Sequence, residues 1–304
     1  MLGTFEVWSG AERIAVDSPR HRRVLSALVL APRTVVPISR LVDAVWAERP
    51  PATAGKQVQN CVSALRERLG GSGSITTDGP GYRLAVADEQ VDWLRFRQGV
   101  DAARALAAGG RLTDAVDAVK AALSLWRGPA LDAMGSPALV ARAALLDDQR
   151  LDAVELCAQW QLTLGHFWDV VDELSACAVE NPLREWVHAY LMLALDRRGR
   201  KADALALFAV LRERLADELG VDPSPETQQA YLTVLRDGPS DDRTAPRDAA
   251  RPVPVPDPRP RAADAVAAAI PRQWTAEVGR SRKILHDLCC SWAVRPLAAG
   301  GGPV

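Results

Sequence analysis

The stretch Thr53 to Leu69, TAGKQVQNCVSALRERL, constrains the chain most tightly, because its pattern fits one kind of element and leaves one face unexplained. Val58, Val62, Leu65 and Leu69 recur at steps of 4, 3 and 4, the spacing of a single helix face. At about 100° per residue the apolar stripe centres near Val62 and Leu69. Lys56, Asn60, Ser63, Ala64 and Glu67 fall opposite, with Gln57 and Gln59 on the shoulders. A face of amide, hydroxyl, ammonium and small side chains can hydrogen-bond base edges and lie close to a groove. Arg66 and Arg68 flank the stripe, within reach of phosphates. Taken alone, the helix reads more simply as ordinary solvated surface. Its neighbours decide.

Leu2–Trp8 and Arg13–Val16 are short strand-like runs joined at Ser9-Gly10. Pro19 then opens a helix over His21–Leu30, with Val24, Leu25, Leu28 and Val29 on one face. Arg20, Arg22 and Arg23 crowd its start, where cations oppose the helix dipole at a cost of about 0.3 kcal/mol or more each. The placement hints at a phosphate partner, although solvation explains any one of them more simply. Ala31-Pro32 ends this helix. Ile38–Trp46 forms the next, and Glu48-Arg49-Pro50-Pro51 leads into the Thr53 helix. Beyond Gly70–Ser74, Ser74–Thr77 and Gly81–Val86 read as strands around Asp78-Gly79-Pro80. Three short helices followed by a β-hairpin make a winged helix-turn-helix, whose third helix enters the major groove while the hairpin lies along the backbone. This context turns the polar face of the Thr53 helix into a candidate base reader.

PRHRRVLSALVLAPRTVVPISRLVDAVW, PPATAGKQVQNCVSALRERLG and TTDGPGYRLAV together resemble the OmpR-type winged helix of the SARP activators, the antibiotic regulatory proteins of the AfsR/DnrI/RedD group. The resemblance covers nearly all of residues 1–86. It implies binding to direct repeats in promoter DNA, through Lys56, Gln57, Gln59, Asn60, Ser63 and Arg66 on the third helix and Arg83 in the wing. Two departures stand out. Gly55 occupies a position where the family commonly has Arg, and Asp78 brings a negative charge to the wing.

From Val91 the pattern is helical throughout, over Asp92–Ala108, Leu112–Trp126, Pro137–Leu164, Trp168–Val179, Leu183–Arg198, Ala202–Leu219 and Ser224–Leu235. GRLTDAV at Gly110, GHFWDVV at Gly165 and GRKADAL at Gly199 look alike. The last two glycines are 34 residues apart, the period of tetratricopeptide helix pairs, each of which buries its face only by stacking on its neighbours. LWRGPAL, NPLRE, GRKADAL and DELGVDPSPE resemble the bacterial transcriptional activation domain of the same family, which implies a protein-contacting, dimer-supporting role. Trp126, Trp160 and Trp186 sit at helical spacing and read as core. His166 and His188 lack a ligand pattern.

The expected organisation is an α+β winged helix-turn-helix over residues 1–88, an all-α tetratricopeptide-like domain over 89–236, and a Pro-rich linker with a disordered tail over 237–304. Seven prolines between Gly238 and Pro260 mark the linker. Net charge is −1 overall, but residues 1–86 carry eleven Lys and Arg against seven Asp and Glu, a mildly basic head. No Cys/His metal spacing, nucleophile elbow or G-x4-G-K-[ST] loop occurs, so neither an enzyme nor a cofactor is expected. The lack of a signal-like N-terminus and of a spanning apolar run leads to the expectation of a cytoplasmic protein. The leading reading is a promoter-binding transcriptional activator of a biosynthetic gene cluster. Its partners would be double-stranded promoter DNA, RNA polymerase holoenzyme and a second copy of the chain. The alternative is a tetratricopeptide-type scaffold whose winged helix docks protein.

Overall fold

The computed structural model describes residues 1–46, 49–71 and 73–236. The expected linker and tail at 237–304 lie outside the described residues. The head begins with a small antiparallel hairpin, β1 (Val7–Ser9) and β2 (Glu12–Ile14), in the register Val7 to Ile14. The strands are shorter than expected because the chain before them is used elsewhere. Leu2 and Thr4 bridge to Ala130 and Asp132, and Met1, Leu2 and Phe5 are buried.

Three helices follow: α1 (Pro19–Val29), α2 (Ile38–Trp46) and α3 (Ala54–Arg68). Pro19 suits the first turn of α1, where its missing N–H would have no partner anyway. The apolar faces meet as the periodicity requires, with Val24, Leu25 and Leu28 against Leu41, Val45, Val58, Val62 and Leu65. The wing is β4 (Ile75–Asp78) and β5 (Gly81–Leu84), paired antiparallel from Ile75–Leu84 to Asp78–Gly81.

A third strand, β3 (Val36–Pro37), completes a sheet in the order β3-β5-β4. Two residues ending in proline carry no periodic signal, and proline is tolerated only at such an edge. Gly81 makes the pairing possible, since a Cβ there would sit 2.3 Å from the carbonyl oxygen of Val36.

A single 3-10 turn at Asp88–Gln90 leads into the helical body: α4 (Asp92–Ala108), α5 (Leu112–Leu123), α6 (Pro137–Leu164), α7 (Phe167–Glu180), α8 (Glu185–Arg197), α9 (Lys201–Leu219) and α10 (Pro225–Arg236). Gly110, Gly165 and Gly199, the glycines of the repeated phrase, all take φ between 73° and 80°, the left-handed conformation that ends a helix most readily at glycine. α6 joins two cores. Leu139, Leu146, Ala153 and Trp160 face a first cluster, while Ala158 and Leu162 face a second built on α7, α8, α9 and α10. Trp126 and Trp160 are core residues, and Trp186 packs against the second cluster.

The first cluster does not stop at the head. It runs from Leu2 and Phe5 through α1, α2 and α3 to Leu94, Phe96, Val119, Trp126 and Met134. Backbone bonds follow the same seam: Arg127 N–H donates to the Leu2 carbonyl at 2.8 Å, and the Trp93 indole donates to the Val29 carbonyl at 3.1 Å. The segment Arg127–Ser136 between α5 and α6 therefore belongs to both halves. Leu131 and Ala133 hold positive φ there, at 51° and 60°, a conformation that non-glycine residues keep only when surrounding contacts over-determine it.

Candidate nucleic-acid interface

The interface is built on α3. Ala54, Val58, Cys61, Val62 and Leu65 are buried, so the helix sits as its apolar spacing requires. Lys56, Gln59, Asn60, Ser63 and Glu67 are exposed on the opposite side. Burial raises the Cys61 thiol pKa, against the opposing pull of the Arg20 charge, which keeps the thiol a neutral packing group.

The residues expected to touch DNA divide into two groups. Lys56, Gln59 and Asn60 project into solvent with no side-chain partner among the described residues. The others are engaged within the protein. Ser63 Oγ donates to the Gln59 carbonyl at 3.1 Å. The Gln57 side-chain amide donates to Thr53 Oγ1 at 3.0 Å and accepts from Arg20 at 2.9 Å. Arg66 Nε donates to the Ile75 carbonyl at 2.7 Å and Nη2 donates to Thr77 Oγ1 at 2.8 Å, with its guanidinium 5.6 Å from the Tyr82 ring centroid. Arg66 is thus the tie between α3 and the wing. Arg83 and Asp78 face each other across the hairpin as an ion pair, so the acidic departure in the wing neutralises the wing's own cation.

The three arginines at the start of α1 also part company. Arg22 Nε donates to the Val16 carbonyl at 2.6 Å. Arg23 donates to the carbonyls of Met134 and Val45, at 2.8 and 3.0 Å, and so bolts the head to the body. Arg20 stays exposed, its guanidinium 5.6 Å above the Trp46 ring centroid. On the same shoulder of α3 as Gln57, Arg68 Nη1 donates to the Ala15 carbonyl at 2.6 Å. No group of His, Cys, Asp and Glu among the described residues is arranged to hold a metal.

Comparison with known proteins matches the description "Transcriptional regulatory protein, C terminal" over residues 13–84 and "Bacterial transcriptional activator domain" over residues 91–235. Regulatory protein DnrI of Streptomyces peucetius is 32% identical over 257 residues, which cover 81% of this chain and 94% of DnrI. The chain belongs to the SARP-type transcriptional regulators. Another relative of this SARP-type chain, Regulatory protein AfsR of Streptomyces coelicolor, is 35% identical over 241 residues. That match spans 79% of this chain and 24% of AfsR. Among solved structures, Mycobacterium tuberculosis EmbR in complex with a low affinity phosphopeptide superposes with a TM-score of 0.73 at 32% identity, over 79% of this chain and 65% of that one. Both matched models describe transcriptional regulators. No helix among the described residues is long and apolar enough to cross a membrane.

Proposed function

We propose that this SARP-type regulator is a sequence-specific, double-stranded-DNA-binding transcriptional activator. In this reading residues 1–88 form the reading head and residues 89–236 the activating body. α3 enters the major groove, Lys56, Gln59 and Asn60 meet base edges and the near backbone, and the wing follows the phosphates through Arg83, which exchanges its Asp78 partner for a phosphate on binding. Gln57, Ser63 and Arg66 contribute from the same helix, chiefly by shaping that surface. Two heads occupy adjacent repeats of a promoter upstream of biosynthetic genes, and the body contacts RNA polymerase holoenzyme and the second protomer.

The observation that carries this reading is the contrast on α3. Both shoulders of the helix are tied down by side-chain bonds, while the solvent face between them presents an ammonium and two amides without side-chain partners among the described residues. Such a face is rigidly placed and chemically unspent. The test is duplex binding by the full chain across salt concentrations, with protection mapping on the upstream region of neighbouring genes. Binding should fall steeply with salt, as phosphate contacts require, and protection should cover direct repeats. A flat salt response without protection would instead favour a scaffold whose winged helix docks protein.

A further inference from the structure

We propose that Arg20 contacts a DNA phosphate on the side of α3 opposite the wing, and that Gln57 positions Arg20 instead of reading a base. The assignment rests on the DNA-binding reading above. It starts from the three arginines that open α1. Arg22 and Arg23 are half-buried and turn inward, to the carbonyls of Val16, Met134 and Val45. Among the described residues the Arg20 side chain makes one hydrogen bond, from Nη1 to the side-chain oxygen of Gln57 at 2.9 Å, and its guanidinium carbon lies over the Trp46 ring, 5.6 Å from the centroid. A guanidinium has five N–H donors, and a cation–ring contact uses none of them. Arg20 is therefore held in place with donors to spare on an exposed surface.

Gln57 cannot serve as the resemblance implies while it does this. Reading adenine needs the side-chain oxygen and nitrogen together, as an acceptor and donor pair. Here the oxygen accepts from Arg20 and the nitrogen donates to Thr53 Oγ1 at 3.0 Å. The amide is a strut between the first turn of α3 and the arginine.

Position supplies the partner. Gln57 and Arg66 are nine positions apart, and at about 100° per residue they lie on opposite shoulders of α3. Arg66 holds the wing on its shoulder. Arg20 occupies the other. The major groove is about 12 Å wide and bordered by a phosphate strand on each rim. A helix lying in it with the wing toward one rim turns the Arg20 side toward the other. Because Trp46 and Gln57 already order the side chain, little of its rotamer freedom is left to lose on contact.

The experiment compares wild type, Arg20→Ala, Arg20→Lys and Gln57→Ala as full-length chains. Each is titrated across salt against a mixed-sequence duplex of about three helical turns and against a promoter duplex of equal length. Arg20→Ala should weaken both duplexes by the same factor and lower the salt slope by about one. Arg20→Lys should keep the wild-type slope with intermediate affinity, since it retains the charge and loses the planar fork. Gln57→Ala should weaken both duplexes alike, by less than Arg20→Ala. An unchanged slope in Arg20→Ala overturns the phosphate assignment, and lost discrimination in Gln57→Ala overturns the positioning role. A wild-type chain that binds neither duplex overturns the DNA-binding reading, and this assignment with it.

Discussion

Gly55 lies in the first turn of α3 with room around it, because an added Cβ would meet only Ile38 Cγ2, at 3.8 Å. Nothing in its surroundings requires glycine, and glycine inside a helix costs roughly 0.5–1 kcal/mol against alanine. Gly55→Ala should raise stability by about that amount, read as a higher urea midpoint at unchanged slope. Asn60 tests a different property. As a free amide at the centre of the reading face, its replacement by alanine should cost about 1–3 kcal/mol on a specific duplex and little on a random one. Equal weakening on both would remove it from the base readers. The exposure of Asn60 was legible in the sequence because it depends only on the turn of its own helix. The engagement of Gln57 and Arg66 was not, since their partners Arg20 and Thr77 lie 37 and 11 positions away on other elements.

At the scale of elements, the wing depends on a close approach. Gly81→Ala would drive a methyl group to 2.3 Å from the Val36 carbonyl, so β3 and β5 must part to admit it. The expected cost is about 1–3 kcal/mol, measured by chemical unfolding. β3 escaped the sequence reading because two residues cannot show a period, whereas the glycine-led helix pairs were legible through a phrase used three times.

α8 carries a second test. His188 is buried, its ring Nδ1 lies 3.1 Å from the Arg184 carbonyl, and Glu185 and Arg214 bear on it from nearby. Burial lowers its pKa below the ordinary 6.5, against the opposing effect of the Arg184 carbonyl. The unfolded chain then binds more protons than the folded one as pH falls through 6.5. Stability contributed by neutral His188 is full above that value and lost progressively down to the lower folded pKa. Unfolding midpoints should therefore fall on acidification, and His188→Gln should flatten that dependence.

For the whole molecule, the continuous first cluster changes what a fragment can be. Residues 1–90 hold three short helices with their own apolar faces, which taken alone look like the parts of an independent unit. The side chains show a core that continues through Phe96, Trp126 and Met134, so cutting at 90 uncovers Leu2, Phe5 and Trp93's bonding partner Val29. A 1–90 fragment should unfold at lower urea and with a broader transition than a 1–164 fragment, which contains the whole first cluster. Equal midpoints would show that the head stands alone. This sharing was hidden from sequence because apolar periodicity tells which face is buried and not against what. The seam also sets an order of events during synthesis. Arg23 must wait for the Met134 carbonyl, 111 positions downstream, and loop closure over such separations is what slows folding. The head leaves the ribosome before the body and yet is completed only with it, and a nascent head carries an unfinished surface until the α5–α6 connection has emerged to cover it.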